Sequence, residues 1–303
     1  MANDIFTDRK NYIGASDAAA VLGMSRWKTP VQIWAEKTGV VEPDDISKKL
    51  AVKLGNRLEE VVAELFTEET GKKVHKVNEA FVHKDHDFLV CHIDRKINGE
   101  NAILQCKTAS AWKAKEWDGE EIPHEYIIQE IHELAVTGYE RAYIAVLIGN
   151  QDFKIKIIER DEKLISEIVE KEAKFWNDFI IKNVMPSTVM AGDTDTLLKI
   201  YPKSNKNSIS LDGKAGKIIE SIEQLKYDVK NLESVIDQNE NELKAILGEN
   251  ESGESGEHII TWKNQTTNRL DTTLLKSKHP EIYCNFLKGT ETRVFRIKKK
   301  GEK

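Results

Sequence analysis

Residues 94–107, DRKINGENAILQCK, carry an acid, an amide and a lysine at spacings that could do phosphoryl chemistry. Gln105 and Lys107 stand two residues apart in an apolar run. In a strand their side chains share one face, and Cys106 between them points to the other. Asp94 precedes Asn98-Gly99, a pair that tolerates positive φ and predicts a hairpin between the two segments. A register centred on that pair brings Asp94 onto the face of Gln105 and Lys107. An Asp on one strand and an acid-x-Lys on the next can hold a divalent ion over a phosphodiester, while the lysine orients water and offsets developing charge. The first position of that pair should be an acid, because a neutral amide holds Mg²⁺ poorly. Here it is Gln105. Spacing alone also fits a solvated edge hairpin. AILQCKT is too apolar for one, and polar groups sharing a buried face are costly unless they are used.

The surrounding elements can position such a face. A helix is expected near Ala18–Leu22, with Ser16 or Asp17 as its cap, and another over Pro30–Lys37. Leu58, Val61, Val62, Leu65 and Phe66 recur at helical spacing over 54–69. The strand-like pieces FLVCHIDRKI and AILQCKT flank the NGEN turn. Pro123 opens a helix running to about Val136, then RAYIAVLIG and FKIKIIER read as strands, and a charged helix covers 161–181. This order predicts a mixed α/β domain over 1–190. Residues 191–210 read as a linker. Residues 211–303 read as a helical or coiled-coil arm, with apolar positions at three-to-four spacing from Ile218 to Ile246, followed by a small α+β module. ENESGESGE reads as a loop, and the end, RVFRIKKKGEK, as a basic tail.

The 303 residues carry a net charge of -6, with 40% hydrophobic and 32% charged residues, which fits a soluble globular chain. Bulk charge does not mark a nucleic-acid coat, yet it leaves room for a local basic groove. Cys91, Cys106 and Cys284 form no CxxC pair, so a reducing cytoplasm is the expected setting and a cysteine-held iron–sulfur cluster is excluded. No apolar run has membrane-spanning length.

Over roughly residues 9–180 the motifs resemble the phage lambda exonuclease family, and more closely its YqaJ-type members. IGASDAAAVLG is similar to the N-terminal signature. LGNRLEEVVAELFTEETG is similar to the helix presenting a family glutamate, which falls on Glu59. CHIDR matches the metal-binding aspartate at Asp94, and LQCKT the acid-x-Lys strand with Lys107. YIIQEIHELAVTG followed by RAYIAVLIG places the family glutamine on Gln129. The resemblance implies a restriction-endonuclease-like core, Mg²⁺ with Mn²⁺ as substitute, and 5′→3′ digestion of one strand of linear duplex DNA. It further implies a ring-like trimer and a phage single-strand annealing protein as partner. Two positions depart from it. The second metal-binding acid falls on Gln105, and a second helix glutamine falls on Ile131. An amide oxygen can coordinate a metal but without charge, so binding should weaken. An engineered inactive chain and natural drift both fit that change.

In this reading Asp94, Gln105 and the Cys106 carbonyl hold the metal, and Glu59 supports a second ion or a water. Lys107 assists the nucleophile and Gln129 positions it. Arg9 and Ser16, seven residues apart at a helix start, suit a 5′ phosphate; the bland alternative makes Ser16 an N-cap only. His132 lies one turn from Gln129 and is read chiefly as structural. Trp112 with Lys113 is the expected DNA contact among the tryptophan sites. Two rivals stand beside this reading: an endonuclease or nickase on the same core, and a DNA-binding recombination adaptor that has lost catalysis.

Overall fold

A computed structural model describes residues 8–299 of the chain. Two compact units form, Met1–Pro202 and Lys203–Lys303. In the first, a 3-10 turn leads to β1 (Ile13–Gly14) and α1 (Ala15–Val21), then α2 (Pro30–Lys37) and α3 (Leu50–Thr70). The strands β2 (Val74–Lys76), β3 (Phe81–Val82), β4 (Leu89–Cys91), β5 (Arg95–Ile97) and β6 (Ala102–Ala109) follow. Then come α4 (His124–Thr137), β7 (Arg141–Ile148), β8 (Asp152–Glu159) and α5 (Glu162–Phe175).

Local chemistry explains several of these boundaries. Thr29 accepts the Gln32 N–H while the Gln32 side chain accepts from Thr29, and Pro30 pre-sets the first turn of α2. The cap of α1 is Gly14, not Ser16 or Asp17. Asp17 instead reaches back from the first turn to accept the Gly14 N–H at 3.3 Å. The β5–β6 turn also differs from the tight two-residue form: only Gly99 takes positive φ, at 77°. Arg95 pairs with Leu104 and Lys96 with Ile103, so four residues, 98–101, make the connection.

The main sheet has the order β2-β5-β6-β7-β8, with β6 and β7 parallel and the other pairs antiparallel. A smaller sheet, β1-β4-β3, sets β1 parallel to β4. Alternation along β6 divides its side chains between two apolar layers. Ala102 and Leu104 pack with Val62, Ala63 and Phe66 of α3. Ile103 packs with the layer that holds Ile131 and Leu134 of α4, Ala18 of α1 and Ile165 of α5. The sheet therefore lies between α3 on one face and α1, α4 and α5 on the other.

The segment read as a linker is structured in its first half. A 3-10 turn at Ala191–Asp193 leads into α6 (Thr194–Ile200). Asp193 is buried, bonded to Thr29 and to the Met190 N–H, because its carboxylate closes the turn against the start of α2.

The second unit contains α7 (Gly213–Leu247), a hairpin of β9 (Ser252–Ser255) and β10 (His258–Thr261), then α8 (Thr272–Lys278) and α9 (Pro280–Asn285). ENESGESGE thus contributes a strand as well as a turn. At Gly253 a Cβ would stand 3.0 Å from Leu247 Cδ2, so a side chain there would press on the buried Leu247. Among the described residues no strand follows α9, and 300–303 of the basic tail lie outside them.

Candidate active site

Asp94 sits just ahead of β5, and its Oδ2 accepts the Cys106 N–H at 2.8 Å. Continuing the β5–β6 register by one residue sets Asp94 opposite Gln105. Gln105 and Lys107 lie on the α4 side of the sheet with Ile103, and Cys106 packs on the α3 side. Lys107 Nζ donates to Gln129 Oε1 at 3.0 Å and stands 5.1 Å from the Tyr126 ring centroid. Gln129 Nε2 in turn donates to Glu133 Oε1 at 3.0 Å. The sheet and α4 thereby form a chain of polar groups: Lys107, Gln129, Glu133.

That layer holds several buried oxygens without a hydrogen-bond partner: Gln105 Oε1, Glu133 Oε2 and both carboxylate oxygens of Glu130. Burial raises the pKa of Asp94, against the opposing pull of the Cys106 N–H and the Lys107 charge. Burial and the neighbouring Glu133 push Glu130 well above the carboxylate range. Burial likewise pushes Glu133 up to about 7. These acids are poorly solvated and share the Lys107 ammonium, which does not offset their burial, the condition under which a carboxylate takes up a proton or a metal.

Glu59 enters through Arg95. Arg95, 2% exposed, donates to Glu59 Oε1 at 2.6 Å, to Glu60 Oε2 at 2.8 Å and to the Asp94 carbonyl at 2.7 Å. Lys76 also reaches Glu59, at 3.3 Å. Burial opposes ionisation of Glu59, but Arg95 and Lys76 outweigh it and hold its pKa down. Glu60, read from sequence as surface, is the second carboxylate of this clamp. Arg95 had no signal in the sequence beyond its adjacency to Asp94.

Arg9 donates to Ser16 Oγ at 2.9 Å and to Asp17 Oδ1 at 3.4 Å. Asp17 is buried and takes its shortest contact, 2.7 Å, from Lys37, which also donates to the Arg9 carbonyl at 2.6 Å. Burial would raise the Asp17 pKa, but Lys37 and Arg9 override it, and the net shift is downward. A cleft of about 320 Å³ is lined by Arg9, Ser16, His92, Gln129 and Glu133, so the phosphate-type cluster and the α4 end of the polar chain share one space. A larger cleft, about 560 Å³ beside α2, includes Trp27, Glu36 and Lys199 and shares no residue with Asp94 or Lys107.

Trp112 and Lys113 are not brought into the shared cleft. They lie on a 3-10 segment, Ala111–Trp117, that follows β6, and Trp112 is 97% exposed. His132 is removed from the chemistry as well. It is fully buried, with Nδ1 2.8 Å from Glu172 Oε1 and Nε2 3.2 Å from the Val90 carbonyl oxygen, so it braces α4 against α5 and β4. Glu133 and Glu130 were missed in sequence. The signal for Glu133 was its i+4 spacing from Gln129 on one helix face.

Among the described residues no three His, Cys, Asp or Glu side chains converge as a ready-made metal cage. The buried polar atoms on the α4 side of the sheet are mostly oxygens: Asp94, the unpartnered Gln105 amide oxygen and unpartnered carboxylate oxygens on α4. Such a set fits a hard, oxygen-liganded divalent cation.

The mixed sheet between helices is a restriction-endonuclease-like fold. An alkaline exonuclease from Laribacter hongkongensis, LHK-Exo, shares it at 20% identity, covering 60% of this chain and 94% of that chain with a TM-score of 0.52. Its complex with dAMP matches at 20% identity, over 60% of this chain and 94% of that one, with a TM-score of 0.51. The YqaJ-like viral recombinase domain profile matches residues 5–140. The uncharacterized protein YqaJ of Bacillus subtilis (strain 168) is 39% identical over 296 residues, 96% of this chain and 92% of its own length. The chain belongs to the YqaJ family of viral-recombinase-type proteins.

Proposed function

We propose that the chain is a divalent-metal-dependent deoxyribonuclease that digests one strand of linear duplex DNA from its 5′ end. The observation that supports this reading is that the α4 end of the Lys107–Gln129–Glu133 chain, Gln129 and Glu133, lines one cleft with Arg9 and Ser16. The first would serve hydrolysis of a phosphodiester together with Asp94, and the second would hold a terminal phosphate in the same cleft.

Asp94, Gln105 and the Cys106 carbonyl would hold Mg²⁺ or Mn²⁺. The bound cation would lower the pKa of a water and draw charge from the phosphoryl oxygens. Lys107 orients the attacking water and neutralises charge that develops on phosphorus-bound oxygen, and Gln129 fixes the ammonium. Glu59, held by Arg95, positions the water or a second ion. The water oxygen bonds to phosphorus, the bond from phosphorus to the 3′ oxygen breaks, and that oxygen takes up a proton. The terminal nucleotide leaves with its 5′ phosphate, and the shortened strand keeps a new one. Arg9 and Ser16 then grip the new end. Trp112 and Lys113 contact the duplex outside the cleft.

The biological setting we infer is phage-type recombination in the cytoplasm. A homo-oligomer, in the trimeric form, would hand the exposed strand to a single-strand annealing protein. No described helix is long and apolar enough to cross a membrane.

A second reading rests on Gln105, which lacks the charge of an acid: the chain would bind DNA ends without cutting them. Linear 5′-phosphorylated, linear 5′-hydroxyl and closed circular duplexes, each incubated with Mg²⁺ or Mn²⁺, separate the possibilities. The exonuclease reading expects mononucleotides from linear DNA, fastest with the 5′ phosphate. Cutting of the closed circle would establish the endonuclease. Binding without turnover by both this chain and Gln105→Glu would establish the adaptor.

A further inference from the structure

We propose that Glu133 on α4 supplies the metal-binding carboxylate that β6 lacks at Gln105. This rests on the nuclease reading and assigns its missing charge to a different element.

Gln105 and Glu133 face the same interlayer. Lys107, two residues beyond Gln105 on the same strand face, is tied through Gln129 to Glu133. Ile103, two residues before, packs in the layer of Ile131 and Leu134. Gln105 is 7% exposed and Glu133 1%, yet Gln105 Oε1 and Glu133 Oε2 have no hydrogen-bond partner. A helix face that packs against a sheet has no structural use for such an acid, because a methionine or leucine would fill the space without the desolvation cost. Glu133 is nevertheless aligned. Gln129 holds Oε1 and leaves Oε2 as a donor, the arrangement by which an outer residue orients a metal ligand.

Charge balance points the same way. Asp94, Glu130 and Glu133 lie within electrostatic range of one another and of Lys107. His132 is engaged with Glu172. Lys107 is the cation that all three acids share, and burial keeps them from ionising together without a further positive charge, which a divalent cation would supply. Glu133, and not Glu130, lines the cleft, so Glu133 is the acid that a cation entering with DNA can reach. Glu130 is fully buried with both oxygens unpartnered.

The test is Mn²⁺ binding by the full chain, followed by loss of the free-ion electron paramagnetic resonance signal and by the metal-induced rise in thermal midpoint. Glu133→Gln should weaken Mn²⁺ binding by about tenfold or more, as loss of a charged ligand or its support does. The metal-free midpoint should not fall, since the change keeps volume and removes a buried charge. Gln105→Glu/Glu133→Gln should recover affinity to within about threefold of the parent chain, well short of that tenfold loss. Unchanged Mn²⁺ affinity in Glu133→Gln, with affinity lost in Asp94→Asn, would overturn this inference and leave the nuclease reading standing. Absence of Mn²⁺ binding in the parent chain would overturn both.

Discussion

Replacing Lys37 by methionine should cost more stability than an ordinary surface change and should blunt recognition of a 5′ phosphate. Asp17 is 5% exposed and is held by Lys37 at 2.7 Å, the Gly14 N–H at 3.3 Å and Arg9 at 3.4 Å. Loss of Lys37 removes the closest and most buried cation. Breaking a buried pair by removing one partner costs about 3–5 kcal/mol. Protonation sets a ceiling: neutralising an Asp of ordinary pKa at pH 7 costs about 1.36 × 3.1, or about 4 kcal/mol. Arg9 can move in and recover part of this, so about 2–4 kcal/mol is expected. Denaturant melts of Lys37→Met, Asp17→Asn and the double variant measure it. The double variant should be more stable than Lys37→Met, because the stranded charge is gone. Arg9 drawn onto Asp17 should also leave Ser16, lowering the preference for 5′-phosphorylated over 5′-hydroxyl ends. Lys37→Met within about 1 kcal/mol of the parent would refute the reasoning, since that is the level of an exposed pair.

Gln105→Glu should lower the metal-free thermal midpoint, by up to about 3.7 kcal/mol of stability at pH 7 if the new acid must be protonated, and should enlarge the stabilisation by Mg²⁺. Equal midpoints with and without Mg²⁺ would count against a metal at that face. His132 is raised above its ordinary pKa: burial opposes the charge, but Glu172 outweighs it. Its contribution is therefore complete below about pH 6.5 and fades as pH rises through the folded-state value. The stability gap between the parent and His132→Gln, followed by melts from pH 5 to 9, should narrow with rising pH; a gap that widens would contradict the assignment. Deleting 293–303 removes Arg293, Arg296, Lys298 and Lys299 with the rest of the basic tail and should flatten the salt dependence of DNA binding. An unchanged slope would exclude a phosphate-contact role.

The parts legible in sequence are those fixed by short-range rules. α2 follows from a cap, a proline and a capping glutamine that are adjacent in the chain. β6 follows from an apolar run, and the shared face of Gln105 and Lys107 follows from strand alternation alone. What was hidden depends on contacts across the fold. Arg95 looks like one charged residue among many until α3 lays Glu59 and Glu60 against it. Lys37 reads as the polar end of a helix, and only its packing shows that it neutralises Asp17 twenty residues away. The β1-β4-β3 sheet escaped because two of its strands are two residues long, too short for any period to show. Ser16 and Asp17 are both good caps, and the choice of Gly14 was set by burial of Asp17 against Lys37, which no local propensity reports. Glu130 and Glu133 were passed over because charged residues on a helix normally face water.

The central claim, that the face shared by Asp94, residue 105 and Lys107 hydrolyses DNA, is tested most directly by the rate of 5′-mononucleotide release from linear duplex with Mn²⁺. The measurement compares Lys107→Ala in the Gln105→Glu background with that background alone. The account expects DNA binding to persist and release to slow by about a hundredfold or more, the usual scale for losing one charge-stabilising group. Release at an unchanged rate would contradict it.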